Sequence, residues 1–149
     1  MKSRYPRPYV TIAGEVDMPR RVDLRELDAL SNGGVTIDFH CHEGWSRMGQ
    51  TYHGVALATL LRLASARAAA RYVTVASGDY SVVLTREQAE DHGVLLALEL
   101  DGRLLAAPRL VGPSDWDCFL SVKDVDRIEL TRIAQQATGP SIALSRIAR

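Results

Sequence analysis

Few cysteines, no net charge and no long apolar run set the first limits on this chain of 149 residues. Its 2 cysteines, Cys41 and Cys118, stand far apart and belong to no paired motif, which argues against a disulfide scaffold and is compatible with a reducing compartment. The 18 basic and 18 acidic residues cancel, so no net charge points to nucleic acid or an anionic membrane surface. No apolar run approaches the ~20 residues that span a bilayer.

Targeting and redox-cofactor motifs are missing as well. Residues 1–6 are basic but lack an apolar signal segment and a twin-arginine pattern, so we expect a cytoplasmic protein. The sequence contains no Cys-x-x-Cys-His haem motif, no Gly-x-Gly-x-x-Gly fingerprint and no cysteine cluster for iron and sulfur. Any redox turnover would therefore need a separate partner protein.

The hydrophobic pattern predicts a single mixed α+β domain over residues 1–149. Asp23 and Thr85 stand where N-caps of helices are expected, and Asp101-Gly102 predicts a hairpin turn. Residues 141–149 form a mildly amphipathic tail that could dock on the body or on a partner, or stay disordered. The predicted strands are 8–13, 35–41, 71–76, 80–84, 94–100 and 103–106, and the predicted helices are 23–30, 55–70, 85–91 and 131–137.

The most informative segment is the strand that runs into a cysteine between two histidines. Its alternating apolar positions are Val35, Ile37 and Phe39. Continued alternation predicts Cys41 on the same inward face at the strand end, with His40 and His42 on the opposite face. The pattern therefore predicts a buried thiol at the end of a strand.

Three interpretations of Cys41 follow from the residues themselves. A structural zinc site would need further ligands at close spacing, whereas Cys118 is distant in sequence. A nucleophilic thiol would need an imidazole nearby, and His53 or His92 would have to supply it. The third interpretation is a small buried hydrophobic residue, which is how most free cysteines behave.

Motifs along most of the chain carry a family resemblance. In order, they are Ile12-Ala13-Gly14-Glu15-Val16, Asp38-Phe39-His40-Cys41, Trp45-Ser46, Gly54-Val55, Leu60-Leu61, Ser77-Gly78-Asp79-Tyr80-Ser81, Asp101-Gly102, Arg109-Leu110-Val111 and Ser121-Val122-Lys123. In this order and spacing the chain resembles the molybdopterin-binding domain of sulfite oxidase-like oxidoreductases, especially the small bacterial members. The resemblance covers roughly residues 9 to 130.

The resemblance implies a fold, a cofactor and site residues. It implies the mixed β-sheet fold of that family and a molybdenum-molybdopterin cofactor that acts on a small-molecule substrate by oxygen-atom or electron transfer. Cys41 would be the thiolate ligand of the metal, and Arg109 would contact the pterin or an anionic substrate. His40, Ser121 and Lys123 would complete the cofactor contacts.

The chain also departs from the family pattern near the expected phosphate. Where the family carries a His-Gly-Gly-Pro loop before the residue that matches Arg109, residues 104–108 form a shortened Leu-Leu-Ala-Ala-Pro loop. Acidic residues stand near Lys123, where like charge opposes anion binding. They are Asp115, Asp117 and Asp124. The alternative is therefore a cofactor-free binding or interaction module on the same fold.

Overall fold

The computed structural model describes residues 9–40, 46–113, 116 and 120–139, with the backbone alone at 38–40, 46 and 47. The strands are β1 (Tyr9–Gly14), β2 (Arg20–Asp23), β3 (Gly33–His40), β4 (Ser46–Ala56), β5 (Tyr72–Ser77), β6 (Tyr80–Thr85), β7 (Leu95–Leu100), β8 (Arg103–Val111) and β9 (Arg127–Thr131). The helices are α1 (Leu24–Ala29), α2 (Leu57–Leu63) and α3 (Arg86–Ala89). This is the mixed β architecture with few helices that the resemblance implied.

The strands form two sheets. One sheet has the order β2-β1-β9-β5-β6, and the other has the order β3-β4-β7-β8. The pairing of β1 with β9 is parallel, and the other pairings are antiparallel. In the first sheet, β9, which comes from near the end of the described chain, therefore lies between β1 and β5.

The main core joins both sheets and all three helices. It contains Ile12 and Ile128 from the five-stranded sheet and Leu96 from the four-stranded sheet. The helices contribute side chains such as Leu27 and Leu60, both with 0% exposure. Burying each such aliphatic side chain stabilises the fold by about 1.5–3 kcal/mol before entropy is counted.

A second apolar cluster lies on the opposite face of the four-stranded sheet, which we call the outer face. Successive residues of a strand point to opposite sides, so Leu96 faces the main core while Leu95 and Ala97 face away from it. The buried members of the outer face are Ile37, Tyr52, Leu95, Ala97 and Val111, and Val35, Ala56, Leu100 and Leu105 pack against them.

Several local predictions are confirmed. Asp23 caps α1 by accepting a hydrogen bond from the Glu26 backbone N–H at 2.9 Å. Thr85 and Gln88 form a reciprocal capping box at α3. Asp101 and Gly102 turn β7 into β8, as the two-residue signal predicted.

The predicted helix over 55–70 is wrong at both ends. Val55 and Ala56 belong to β4, where they pair with β7. At the other end, Ser65 adopts a left-handed φ of 52°, which a helix cannot continue through. The sequence prediction also missed most of β4, because two register shifts interrupt its alternation.

The carboxyl-terminal prediction is wrong as well. Thr131 is the last residue of β9, which pairs with both β1 and β5. In this described part of the chain, no helix covers 132–137. Pairing between two strands satisfies the backbone of β9 on both sides, which outweighs the weak helical pattern. The tail 141–149 lies outside the described residues. Across the ranges given above, no helix is long and apolar enough to cross a membrane.

Candidate functional site

Arg109 lies on the outer face of the four-stranded sheet. It pairs directly with Ala97, whose side chain belongs to the outer cluster, and Val111 follows two residues later on the same face. Directly paired residues of antiparallel strands share a face. A partly buried guanidinium therefore sits at the margin of an apolar surface, where it needs hydrogen-bond partners.

Ser121 is one of those partners. Arg109 Nε donates to Ser121 Oγ at 3.2 Å, and Ser121 Oγ donates to the Leu110 carbonyl at 2.9 Å. Ser121 is 8% exposed, so this hydroxyl is almost completely enclosed. The structure thus brings together two of the predicted site residues, in direct contact.

Lys123 lies in a short turn that two backbone hydrogen bonds anchor to β8. The Leu110 N–H donates to the Val122 carbonyl, and the Val125 N–H donates to the Pro108 carbonyl, each at 2.9 Å. Lys123 and Asp124 lie between these anchors and are both exposed. A cation is therefore held within two residues of Ser121, with a carboxylate beside it.

His40 and Cys41 belong to the far end of β3. His40 is the last residue of that strand, its side chain is outside the described part, and Cys41 lies outside the described residues. The alternation that predicted the orientation of Cys41 holds where it is described, since Thr36 is exposed and Ile37 is 4% exposed on the outer face. That Cys41 shares this face stays a prediction.

The two ends of the predicted site lie far apart along the sheet. Arg109 and Gly33 lie at the same height along the strands of this sheet. Pairing connects them across it, from Arg109 to Ala97, then to Gly54 and then to Gly33. His40 ends the same strand, and the 8 residues of β3 rise by roughly 20–25 Å at about 3.3 Å per residue. A ligand held from both ends would be elongated and would cross the outer face.

Segment 104–108, predicted as a shortened loop, is instead part of β8. Leu104 pairs with Glu99 and Arg109 pairs with Ala97, so the residues between them form a bulged stretch opposite β7. Its buried end is Pro108, whose carbonyl holds the Lys123 turn. The loop prediction is wrong because the hydrogen bonds on either side keep the segment within the sheet.

Tyr52 is a member of this face that the sequence prediction missed. It is 0% exposed, and its hydroxyl lies 3.3 Å from Gln50 Oε1. Gln50, Tyr52 and Ala56 keep even spacing on one side of β4, which is the signal that could have identified it. Its position between β3 and β7 makes it part of the enclosed apolar cluster between Arg109 and the end of β3.

His53 and His92, the histidines that a nucleophilic Cys41 would need, do not lie at the end of β3 that leads to Cys41. His53 pairs with Gly34, near the start of β3, and a Cβ added at Gly34 would lie 2.7 Å from its ring. His92 lines a separate groove between α2, α3 and the start of β3. Among the described side chains, no three of His, Cys, Asp and Glu come together as a metal site, and Cys41 is not among them.

The chain belongs to the oxidoreductase molybdopterin binding domain family, whose model matches residues 6–138. It is similar to the crystal structure of the sulfane dehydrogenase SoxCD from Paracoccus pantotrophus, with a TM-score of 0.76 and 22% sequence identity. The likeness covers 88% of this chain and 40% of that chain, so the chain spans less than half of its length. At this identity the likeness shows the fold. None of the curated proteins matches the chain.

Family membership implies a molybdopterin cofactor, and the described residues fit its organic part. Its phosphate is an anion that needs cations and N–H donors; Arg109 on the outer face and the exposed Lys123 in the turn after Ser121 are cations that could supply them. Beside Arg109, Tyr52 and Ala97 belong to an apolar cluster that is itself enclosed, each with 0% exposure. Cys41, the thiolate ligand that the resemblance implies, lies outside the described residues.

Proposed function

We propose that this chain is a molybdopterin-dependent oxidoreductase that acts on a small molecule by oxygen-atom or electron transfer. The observation that carries the proposal is the pair formed by Arg109 and Ser121 at the margin of an apolar sheet face, in a chain that belongs to a molybdopterin-binding family. The cofactor would lie across the outer face, between the end of β3 and the Lys123 turn.

Cys41 is the proposed metal ligand. A thiolate is a soft donor suited to a transition metal, and it must lose its proton before it binds. When bound, the cofactor would supply the two-electron chemistry, while the protein positions it and tunes its surroundings. Continued alternation along β3 supports a Cys41 side chain on the outer face, together with Ile37 and Tyr52.

Arg109 and Lys123 are the proposed cations for the opposite end. The planar fork of an arginine suits oxyanions such as a phosphate or an anionic substrate, and a lysine adds a mobile point charge. His40 precedes Cys41 and is a proposed contact to the cofactor. Because the sequence has no haem, flavin or iron-sulfur motif, we also propose a separate redox partner, and a cytoplasmic location.

The test is the molybdenum content of the protein, measured by elemental mass spectrometry after expression in a host that makes the cofactor. We expect near one molybdenum per chain in the wild type and almost none in Cys41→Ser. The matched control is Cys118→Ser, which removes the other cysteine and should leave the metal content unchanged. Equal molybdenum content in wild type and Cys41→Ser would contradict the assignment of Cys41 as the metal ligand.

A second candidate function is a cofactor-free binding module on the same fold. The exposed carboxylate of Asp124, directly beside Lys123, favours it because like charge repels a phosphate. Absence of molybdenum from both wild type and Cys41→Ser would support this module. Unchanged stability of the fold in the two proteins would then direct the search to binding partners.

A further inference from the structure

The hydrogen-bond pattern of Ser121 limits what its hydroxyl can do. A serine hydroxyl carries one hydrogen, and here that hydrogen is donated to the Leu110 carbonyl at 2.9 Å. One of its lone pairs accepts from Arg109 Nε at 3.2 Å. An anionic oxygen needs a donor, so direct binding by Ser121 would break its bond to Leu110 and leave a buried carbonyl without that partner.

We propose that Ser121 is a positioning residue that orients the guanidinium of Arg109 toward an oxyanion, and that it does not bind the oxyanion itself. Its hydroxyl engages Nε, the donor nearest the side-chain stem, whereas the Nη groups carry four of the five N–H donors. Fixing Nε sets the plane and direction of the fork. This inference rests on the proposed function, because the oxyanion would be the pterin phosphate or an anionic substrate.

The benefit of such positioning is preorganisation. An arginine side chain has many rotamers, and ordering it when a ligand binds weakens the affinity. Ser121 is itself held, because it is 8% exposed and its backbone neighbour Val122 accepts a hydrogen bond from the Leu110 N–H. The order of Arg109 is therefore established by β8 and the following turn before any ligand arrives.

A double-mutant cycle separates positioning from direct binding. Inorganic phosphate is titrated calorimetrically into cofactor-free protein carrying Ser121→Ala, in the wild-type and Arg109→Lys backgrounds. We expect an about fivefold to tenfold loss of affinity in the wild-type background and almost none beside Arg109→Lys, where no guanidinium remains to be oriented. An equal loss in both backgrounds would show a direct ligand and overturn the inference, as would no loss in either.

A spectroscopic readout tests the same contact without ligand. The Nε–H of Arg109 should exchange with solvent at least about tenfold faster in Ser121→Ala than in the wild type, as measured by NMR. Ser121→Thr keeps a hydroxyl and should restore slow exchange. Ser81→Ala is the matched control, since Ser81 is 7% exposed and its hydroxyl contacts Thr138 instead. Unchanged exchange in Ser121→Ala would contradict the inference.

Titration of the molybdenum-loaded protein distinguishes the two sources of the oxyanion. If Arg109 holds the pterin phosphate, loaded protein should no longer bind inorganic phosphate at this site. If Arg109 serves a substrate, loaded protein should still bind phosphate, and Ser121→Ala should weaken that binding by the same factor. If the wild type carries molybdenum but Ser121→Ala leaves the phosphate affinity of the cofactor-free protein unchanged, this inference alone is overturned. Wild type without molybdenum would instead overturn the proposed function.

Discussion

Asp124 places a described carboxylate directly beside Lys123, one of the proposed phosphate-binding cations. It follows Lys123 in the anchored turn, is exposed, and adopts a left-handed φ of 55°. Asparagine also tolerates this backbone conformation, so the charge can be removed without adding strain. Asp124 therefore allows electrostatics to be tested separately from geometry.

We expect Asp124→Asn to raise the affinity of cofactor-free protein for inorganic phosphate by about two- to fivefold at low ionic strength. The gain should shrink as salt is added, because exposed charges are screened. The control is Asp101→Asn, which removes the same charge from a residue with a similar φ of 49° in the β7–β8 turn. Equal gains in both variants, measured by calorimetry, would rule out a local effect at Lys123.

At this scale, the sequence named residues that the structure brings into contact, but it did not show how their hydrogen bonds are arranged. Arg109, Ser121 and Lys123 were identified through the family resemblance, and the structure places the first two in contact. Whether Ser121 has a hydrogen to donate to a cofactor could not be judged from sequence, because its hydroxyl donates to the Leu110 carbonyl in the folded chain. Tyr52 was missed because its strand was not predicted.

At the scale of elements, local signals predicted hairpins and caps, and long-range pairing decided the rest. The Thr85 capping box and the Asp101-Gly102 turn involve neighbours in sequence, so their patterns are visible in the chain. The full extent of β4 depends on its pairing with β3 and β7, through register shifts that conceal its alternation. The apolar spacing of α2 continues beyond its last turn, but Ser65 ends the helix.

Gly54 shows how tightly these strands approach each other. A Cβ added there would lie 2.2 Å from the Leu96 carbonyl oxygen and 2.7 Å from Ala97 Cα, and neither backbone atom can move aside easily. We expect Gly54→Ala to reduce the free energy of unfolding by about 3 kcal/mol or more, measured by urea denaturation.

The matched control for Gly54→Ala is Gly33→Ala, because Gly33 is the residue of β3 that pairs with Gly54 on the other side of β4. An added Cβ there would meet the Leu95 side chain at 3.2 Å, and that side chain can shift. We expect a change within about 1 kcal/mol. Equal destabilisation by both variants would contradict the close backbone approach at Gly54.

A surface ion-pair cluster joins the segments that follow three elements. Glu15 pairs with Arg67 and with Arg132, each at 3.3 Å, and Arg67 also pairs with Asp17 at 2.8 Å. The hydrogen bond from Arg67 lowers the pKa of Glu15, and the bonds to Asp17 and Glu15 raise the pKa of Arg67. The cluster is exposed to solvent, so each pair contributes modestly.

The pH dependence of this cluster follows from the lowered pKa of Glu15. Its stabilisation is present above the unfolded-state pKa and is lost as the pH falls through the folded-state value. We therefore expect Glu15→Gln to lower the melting temperature slightly at pH 7, with a difference that disappears under more acidic conditions. Glu129→Gln is the control, since its pair with Arg127 is longer at 3.8 Å. A difference that persists at low pH would contradict this account.

For the whole molecule, the two sheets have different surroundings. The five-stranded sheet contributes to the main core, whereas the four-stranded sheet contributes to that core on one face and presents the outer cluster on the other. The four-stranded sheet therefore has a second apolar cluster, itself buried, on the face away from the main core, with Arg109 at the margin of that cluster. We therefore expect the protein to fold without its cofactor and to become more stable when the cofactor binds.

This stabilisation by the cofactor gives a prediction about thermal stability. A cofactor that binds the native state and not the unfolded chain adds about 2.7 kcal/mol when present at a hundred times its dissociation constant, or an increase of about 5–10 °C in melting temperature for a domain of this size. We expect this increase when wild type from a host that makes the cofactor is compared by calorimetry with wild type from a host that does not. Cys41→Ser should show almost no difference between the two hosts, and Cys118→Ser should behave as wild type. An equal increase in Cys41→Ser would show that loading does not depend on the thiol, because the thermal benefit would then come from contacts such as Arg109 and Lys123 alone.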